Sequence, residues 1–192
     1  MTERHYDIGF FSSADRGLET LLKLIPQVEA KLGRKVTSVW AYGWNSYDQL
    51  HSKNPQQMKW KWQMIRAMSE VGMVSKDRLT HKELATLMED TKVWAYPTSF
   101  SEIFCITAIK AQAAKCKVVT SGYAALQETI LQDEPNIANI HENPKELDAF
   151  VDRLVEALDQ PRDEKSLTKT AEQVKALYDW SNIAVQWDKV LS

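Results

Sequence analysis

Two charged residues stand where chemistry is possible. Arg16 closes a short polar loop, Ser12 to Gly17, between the apolar run Tyr6–Phe11 (YDIGFF) and a helical stripe that begins at Leu18. Glu102 closes a second loop, Thr98 to Glu102, which follows Val93–Tyr96 and Pro97. After it comes a stretch without Gly or Pro, from Ile103 to Ala114, rich in Ala and Ile. A guanidinium in such a loop can neutralise a diphosphate. A carboxylate at the mouth of a helix can accept hydrogen bonds from hydroxyls. Unpaired backbone N–H groups and the helix dipole at that end favour an anion such as phosphate.

The elements that must hold these residues alternate. Tyr6–Phe11 reads as a strand, and Leu18, Leu21, Leu22, Ile25 and Val28 form one helical stripe up to Gly33. Pro26 inside that pattern predicts a kink or a split. Val36–Tyr42 reads as a second strand. Trp44 to about Gln57 reads as loop, with Asn54-Pro55 as its turn signal, and Met58–Val71 as a helix. Gly72–Val74 reads as a short strand. Thr80 and Glu83 form a capping box for a helix that ends near Asp90. Val93–Tyr96, the helix from Ile103, and Val118-Val119 repeat the strand–helix–strand unit. A short helix over Ala124–Leu131 follows, then a last strand over Asn136–Ile140, a helix from Asn143-Pro144 to about Leu158, and helical sequence from Ser166 to Leu191, with Ser181 as an internal cap. Strands alternating with helices predict an α/β domain with a doubly wound parallel sheet, Rossmann-like.

Composition narrows the class. The chain has 192 residues, 44% hydrophobic and 26% charged, with a net charge of −2. That is one domain with one sizeable core. The lack of a basic field argues against nucleic acid. No apolar run is long enough for a transmembrane segment, and MTERHYD has no apolar leader core. The two cysteines, Cys105 and Cys116, lie near opposite ends of one helix, about 16 Å apart along its axis, too far for a disulfide. They read as buried thiols of a cytoplasmic protein. His5, His51, His81 and His141 have no partners at ligand or triad spacing, so neither a metal nor another cofactor is expected.

The segment from Pro97 to Ile130, PTSFSEIFCITAIKAQAAKCKVVTSGYAALQETI, resembles the donor-binding segment of retaining glycosyltransferases of the GT-B fold. It matches that pattern at Pro97, Ser99, Glu102, Ala111, Ala113, Ala114, Val118, Val119, Gly122 and Glu128. It departs at Lys110, where the family has a second Glu, at Lys115, where it has Gly, and at Lys117, where it has Pro. SSADRGLETLL resembles the first donor-domain loop, DRLTHKELATLMEDTKVWAYPTSF the nucleotide-side segment, and YDWSNIAVQWDKVL the tail helix.

The resemblance implies roles. Arg16 would stabilise the leaving diphosphate, with Gly17 allowing close backbone approach. Glu102 would bind the donor sugar, helped by Ser99 and by the backbone of Ile103, Phe104 and Cys105. Arg78 would approach the base or phosphates. Lys110 would stand near the ribose, where a charged Lys can donate but not accept. The chain is thus expected to be a single donor-binding domain over residues 1–192, with a C-terminal helix at about 163–191 packing back on it. It would be a fragment or a stand-alone relic, working with a separate acceptor domain or as a homo-oligomer. The implied reaction is metal-independent hexosyl transfer from a nucleotide diphosphate sugar to an acceptor hydroxyl, with retention. The alternative is a non-catalytic nucleotide-sugar-binding or interaction module derived from such a domain, for which Lys110 and Lys115 speak.

Overall fold

The computed structural model describes residues 4–132, 140 and 143–192. Five parallel strands form one sheet in the order β3-β2-β1-β4-β5: β1 (Tyr6–Phe10), β2 (Ser38–Ala41), β3 (Val74–Lys76), β4 (Thr91–Tyr96) and β5 (Lys117–Thr120). β1, β2 and β4 are buried almost throughout. Helices cover the sheet, which is why these strands read as continuous apolar runs. Trp40, Trp94, Tyr96 and Phe10 are the largest fully buried side chains, all from the three central strands. The strand expected over Asn136–Ile140 lies outside the described residues except for Ile140.

The order of the strands creates the position that matters. β1 leads through α1 (Leu18–Leu32) to β2 on one side. β4 leads through α5 (Ile106–Ala113) to β5 on the other. The chain therefore diverges between β1 and β4, which leaves a crevice beyond their C-terminal ends.

Local signals set most boundaries. Gly33 ends α1 in the left-handed conformation, with φ of 67°. Thr80 and Glu83 form the expected capping box of α4 (His81–Glu89). A short α6 (Leu126–Thr129) follows β5, and Asn143 caps α7 (Pro144–Asp159) by accepting from the backbone N–H of Lys145.

Several expectations are corrected. α1 runs through Pro26 as one helix; Pro26 lies on its exposed face, where water can solvate the carbonyl that loses its partner. Trp44 to Gln57 is helical, forming α2 (Asn45–His51) and the start of α3 (Pro55–Glu70). Asn54-Pro55 is a helix start, because Asn54 accepts from the N–H groups of Gln56 and Gln57 and Pro sits at the first helical position. β3 lies at Val74–Lys76, just beyond the Gly72 turn. The fifth helix begins at Ile106 and not at Ile103, because Cys105 takes φ of 59°. The tail divides into α8 (Glu164–Tyr178) and α9 (Trp180–Leu191), capped by Asp179 and not Ser181. α8 packs on α5 and buries Leu167, Thr170 and Val174, whereas α9 buries none of its residues.

Lys115 does occupy the left-handed region, with φ of 60°. The carbonyls at this helix end are held from outside. Arg4 donates to the Ala114 carbonyl at 2.9 Å and Arg162 to the Lys115 carbonyl at 2.7 Å. Charged donors on the last carbonyls offset the ~1–2 kcal/mol that the left-handed conformation costs an L-residue. Cys105 and Cys116 are buried free thiols.

Candidate functional site

Arg16 and Glu102 meet in the crevice between β1 and β4. The loop after β1 tightens into a 3-10 turn, Ala14–Arg16, stopped by Gly17 at φ of 113°. A Cβ on Gly17 would lie 2.4 Å from the Pro97 carbonyl oxygen. Glycine is thus needed twice, for the left-handed backbone and for the approach of the β4 loop. Its close neighbour is the protein's own backbone at Pro97.

The turn aims Arg16 at Glu102. Arg16 Nη1 donates to Oε1 at 3.0 Å and to Oε2 at 3.2 Å. The Arg16 side chain is one-third exposed and that of Glu102 is buried. The Phe100 ring lies under the guanidinium, 3.9 Å from its centroid, a cation–π contact that also shields one face. Burial works against the Arg16 charge, but the adjacent carboxylate outweighs it and raises the Arg16 pKa.

Tyr96 completes the arrangement from below. Its phenol donates to Glu102 Oε1 at 2.5 Å and lies 3.4 Å from Ser12 Oγ. Burial, and then the bond to Glu102, raise the phenol's pKa, so it remains a donor. The loop after β5 braces the same carboxylate segment: Ser121 Oγ donates to the Thr98 carbonyl, and the Ala125 N–H donates to the Glu102 carbonyl at 3.2 Å. Glu102 therefore sits in a loop, fixed by Arg16, Tyr96 and Ala125. It is not the first residue of a helix held there by the dipole.

The other predicted residues distribute around this pair. Ser99 is exposed on the β4 loop. The N–H groups of Ile103 and Phe104 have no acceptor among the described residues. Ile103 is 94% exposed, and Phe104 packs edge-on against Tyr178 at 5.6 Å. Cys105 is buried, and burial pushes its thiol up to about 12. Lys110 is half-buried, one turn into α5 and not two, and its ammonium has no partner among the described residues. Arg78 is exposed on the loop after β3, two strands from β1, with its backbone against Gly43. It makes no contact with Arg16 or Glu102. Tyr96, Phe100 and Ser121 are the contributors that sequence reasoning missed. Tyr96 ends a strand six residues before Glu102, but nothing local says that a strand-end Tyr points along the edge and not into the core.

Such an edge can hold a diphosphate against Arg16 and the free N–H groups while Glu102 accepts from hydroxyls. Among the described residues no three His, Cys, Asp or Glu side chains converge, and no helix is long and apolar enough to cross a membrane.

Comparison with solved structures places the fold. The sucrose-phosphate synthase of Thermosynechococcus elongatus matches 99% of this chain over 46% of its own, at 21% identity and a TM-score of 0.75. The catalytic domain of starch synthase IV from Arabidopsis thaliana, solved with ADP and acarbose, matches 98% over 38% at 12% identity and 0.57. Anabaena HepE, solved with UDP-glucose, matches 90% over 48% at 13% identity and 0.51. No family model matches the chain, and no curated protein matches it in sequence. The chain has the Rossmann-like fold of a GT-B C-terminal domain. It spans less than half the length of these three structures.

Proposed function

We propose that this domain binds a nucleotide diphosphate sugar and is the donor half of a retaining, metal-independent hexosyltransferase. One observation carries the reading. Arg16 and Glu102 lie 86 residues apart in sequence and meet at the point where β1 and β4 diverge, the place where open α/β sheets bind nucleotides. Titration of the chain with UDP-, ADP- and GDP-hexoses tests it. Binding by at least one, weakened by Arg16→Ala, supports the reading, and silence across the panel refutes it.

In this reading the donor diphosphate lies against Arg16 and the N–H groups of Ile103 and Phe104. Glu102 accepts from the sugar hydroxyls, and Arg78 approaches from the β3 side. As the bond from the anomeric carbon to the diphosphate oxygen lengthens, negative charge grows on the leaving group. The guanidinium then gains most, because it lies in a partly dry crevice. The acceptor hydroxyl comes from the opposite side of the cleft, on a separate acceptor domain or a second copy. HepE, solved with UDP-glucose, supports the donor class by its fold.

Lys110 favours a second reading, a module that binds the nucleotide sugar without turning it over. Half-buried on α5, its ammonium has no partner among the described residues and cannot accept from ribose hydroxyls. A radiolabelled donor separates the two. Sugar transfer or slow donor hydrolysis belongs to an enzyme, and neither to a module.

A further inference from the structure

A second built cleft opens on the same sheet edge, on the α1–α3 side of Arg16. It has a volume of about 590 Å³ and lies between the β1 and β2 loops and the α2–α3 hairpin, lined by Asp15, Tyr42, Trp44, Tyr47, Gln56 and Trp60 among others. This size suits a small molecule, roughly 300–1,000 Å³. Its walls are aromatic and its rim is polar.

The walls are held in place. Trp44 packs edge-on against Tyr47 at 5.4 Å and against Trp60 at 6.1 Å, and tilts against buried Trp40 at 5.0 Å. The Tyr47 phenol donates to Gln57 Oε1 at 2.6 Å, which pins α2 to α3. Behind it, Lys61 grips both oxygens of Asp48, at 2.6 and 2.7 Å. Yet Trp44, Tyr47 and Trp60 are only half-buried, so ring surface remains available.

The 3-10 turn joins this cleft to the ion pair. Asp15 lines the cleft, and Arg16, the next residue, holds Glu102. Their Cα atoms are ~3.8 Å apart. Burial, and then the Asp15 and Asp48 carboxylates, raise the pKa of the Tyr47 phenol. A molecule in the cleft is thus within one residue of the place assigned above to the departing diphosphate, on the side away from α5.

We propose that this cleft is a saccharide subsite that holds a hexose. The chemistry fits a sugar better than a wholly apolar ligand. The C–H face of a pyranose packs on an aromatic ring, while Asp15 and Gln56 at the rim satisfy its hydroxyls. The saccharide site does not rest on the donor reading above.

The test uses the indole N–H signals of the 192-residue chain in nuclear magnetic resonance. Methyl glycosides of glucose, galactose and mannose, and their disaccharides, are titrated with and without UDP. Saturable shifts of Trp44 and Trp60 are expected with at least one sugar. Tyr42→Ala and Gln56→Ala, both at exposed positions, should raise its Kd about tenfold while leaving the melting temperature and UDP affinity unchanged. The proposal is overturned if no sugar shifts these indoles up to its solubility limit, if both variants bind like the parent, or if they lose UDP affinity instead. If the sugar binds but no nucleotide sugar does, the donor reading fails while the saccharide site stands.

Discussion

Arg16 and Glu102 neutralise each other in the crevice between β1 and β4. One guanidinium nitrogen reaches both carboxylate oxygens, at 3.0 and 3.2 Å. The two groups assigned to the diphosphate and the sugar are thus engaged with each other. A bound diphosphate has to share Arg16 with Glu102, or take it.

Arg16→Ala should weaken nucleotide diphosphate sugar binding by roughly 1.5–3 kcal/mol, the worth of a charge-assisted bond. Glu102→Gln should act differently. It frees the guanidinium, so nucleoside diphosphate alone binds as well or better, while the advantage of the sugar-bearing ligand shrinks. Calorimetry with UDP and a UDP-hexose on both variants reads the two effects. Equal losses for both ligands in Glu102→Gln would remove Glu102 from the sugar.

Lys110→Glu should increase affinity for the nucleotide sugar, by on the order of 1 kcal/mol for the restored ribose contacts. Its position one turn into α5, half-buried and with no partner for its ammonium among the described residues, leaves the fold free to accept the change. Titration beside urea midpoints checks both halves. Weaker binding at unchanged stability would show that a ribose contact is not what position 110 lacks.

Gly17→Ala should cost roughly 2–5 kcal/mol. The left-handed backbone accounts for ~1–2 of this, and the collision with the Pro97 carbonyl for much of the rest. Gly33→Ala serves as the control. It also has positive φ, but a Cβ there meets nothing within 4 Å, so it should lose only the conformational part. Equal losses at the two positions in urea unfolding would mean that the β4 loop yields.

Both thiols should be inert in the native protein. Burial pushes Cys105 and Cys116 up to about 12 from an ordinary value of 9. The folded chain therefore holds protons that the unfolded chain releases between those values. The resulting stability is complete below pH 9 and is lost as pH rises toward 12. Ellman's reagent at pH 8 should react with both thiols in urea and with neither in buffer. Rapid labelling of either in buffer would place it at the surface.

The elements were legible wherever periodicity or a cap speaks locally. The α1 stripe, the Thr80–Glu83 capping box, the apolar β4 run and the Asn143-Pro144 start are properties of neighbouring residues, so order in the chain was enough to read them. The same signals placed Arg16 after the first strand and Glu102 after the fourth, and their alternation implied a parallel sheet. The Asn54-Pro55 pair shows the limit, since the dipeptide suits a turn or a helix start. The side-chain bonds from Asn54 to two N–H groups, together with packing of Trp44, Tyr47 and Trp60, decided for the helix.

Only the tertiary structure put β1 beside β4. Strand adjacency depends on which pairing buries Trp40, Trp94, Tyr96 and Phe10 together, a non-local sum that no short window contains. From it follow the Arg16–Glu102 contact, the Tyr96 phenol beneath it and the Gly17 approach to Pro97. Cys105 in the left-handed region is of the same kind. A non-glycine residue at φ of 59° is strained by itself, so its conformation is imposed by the packed loop, and the true start of α5 could not be read from residues that favour a helix on both sides of it.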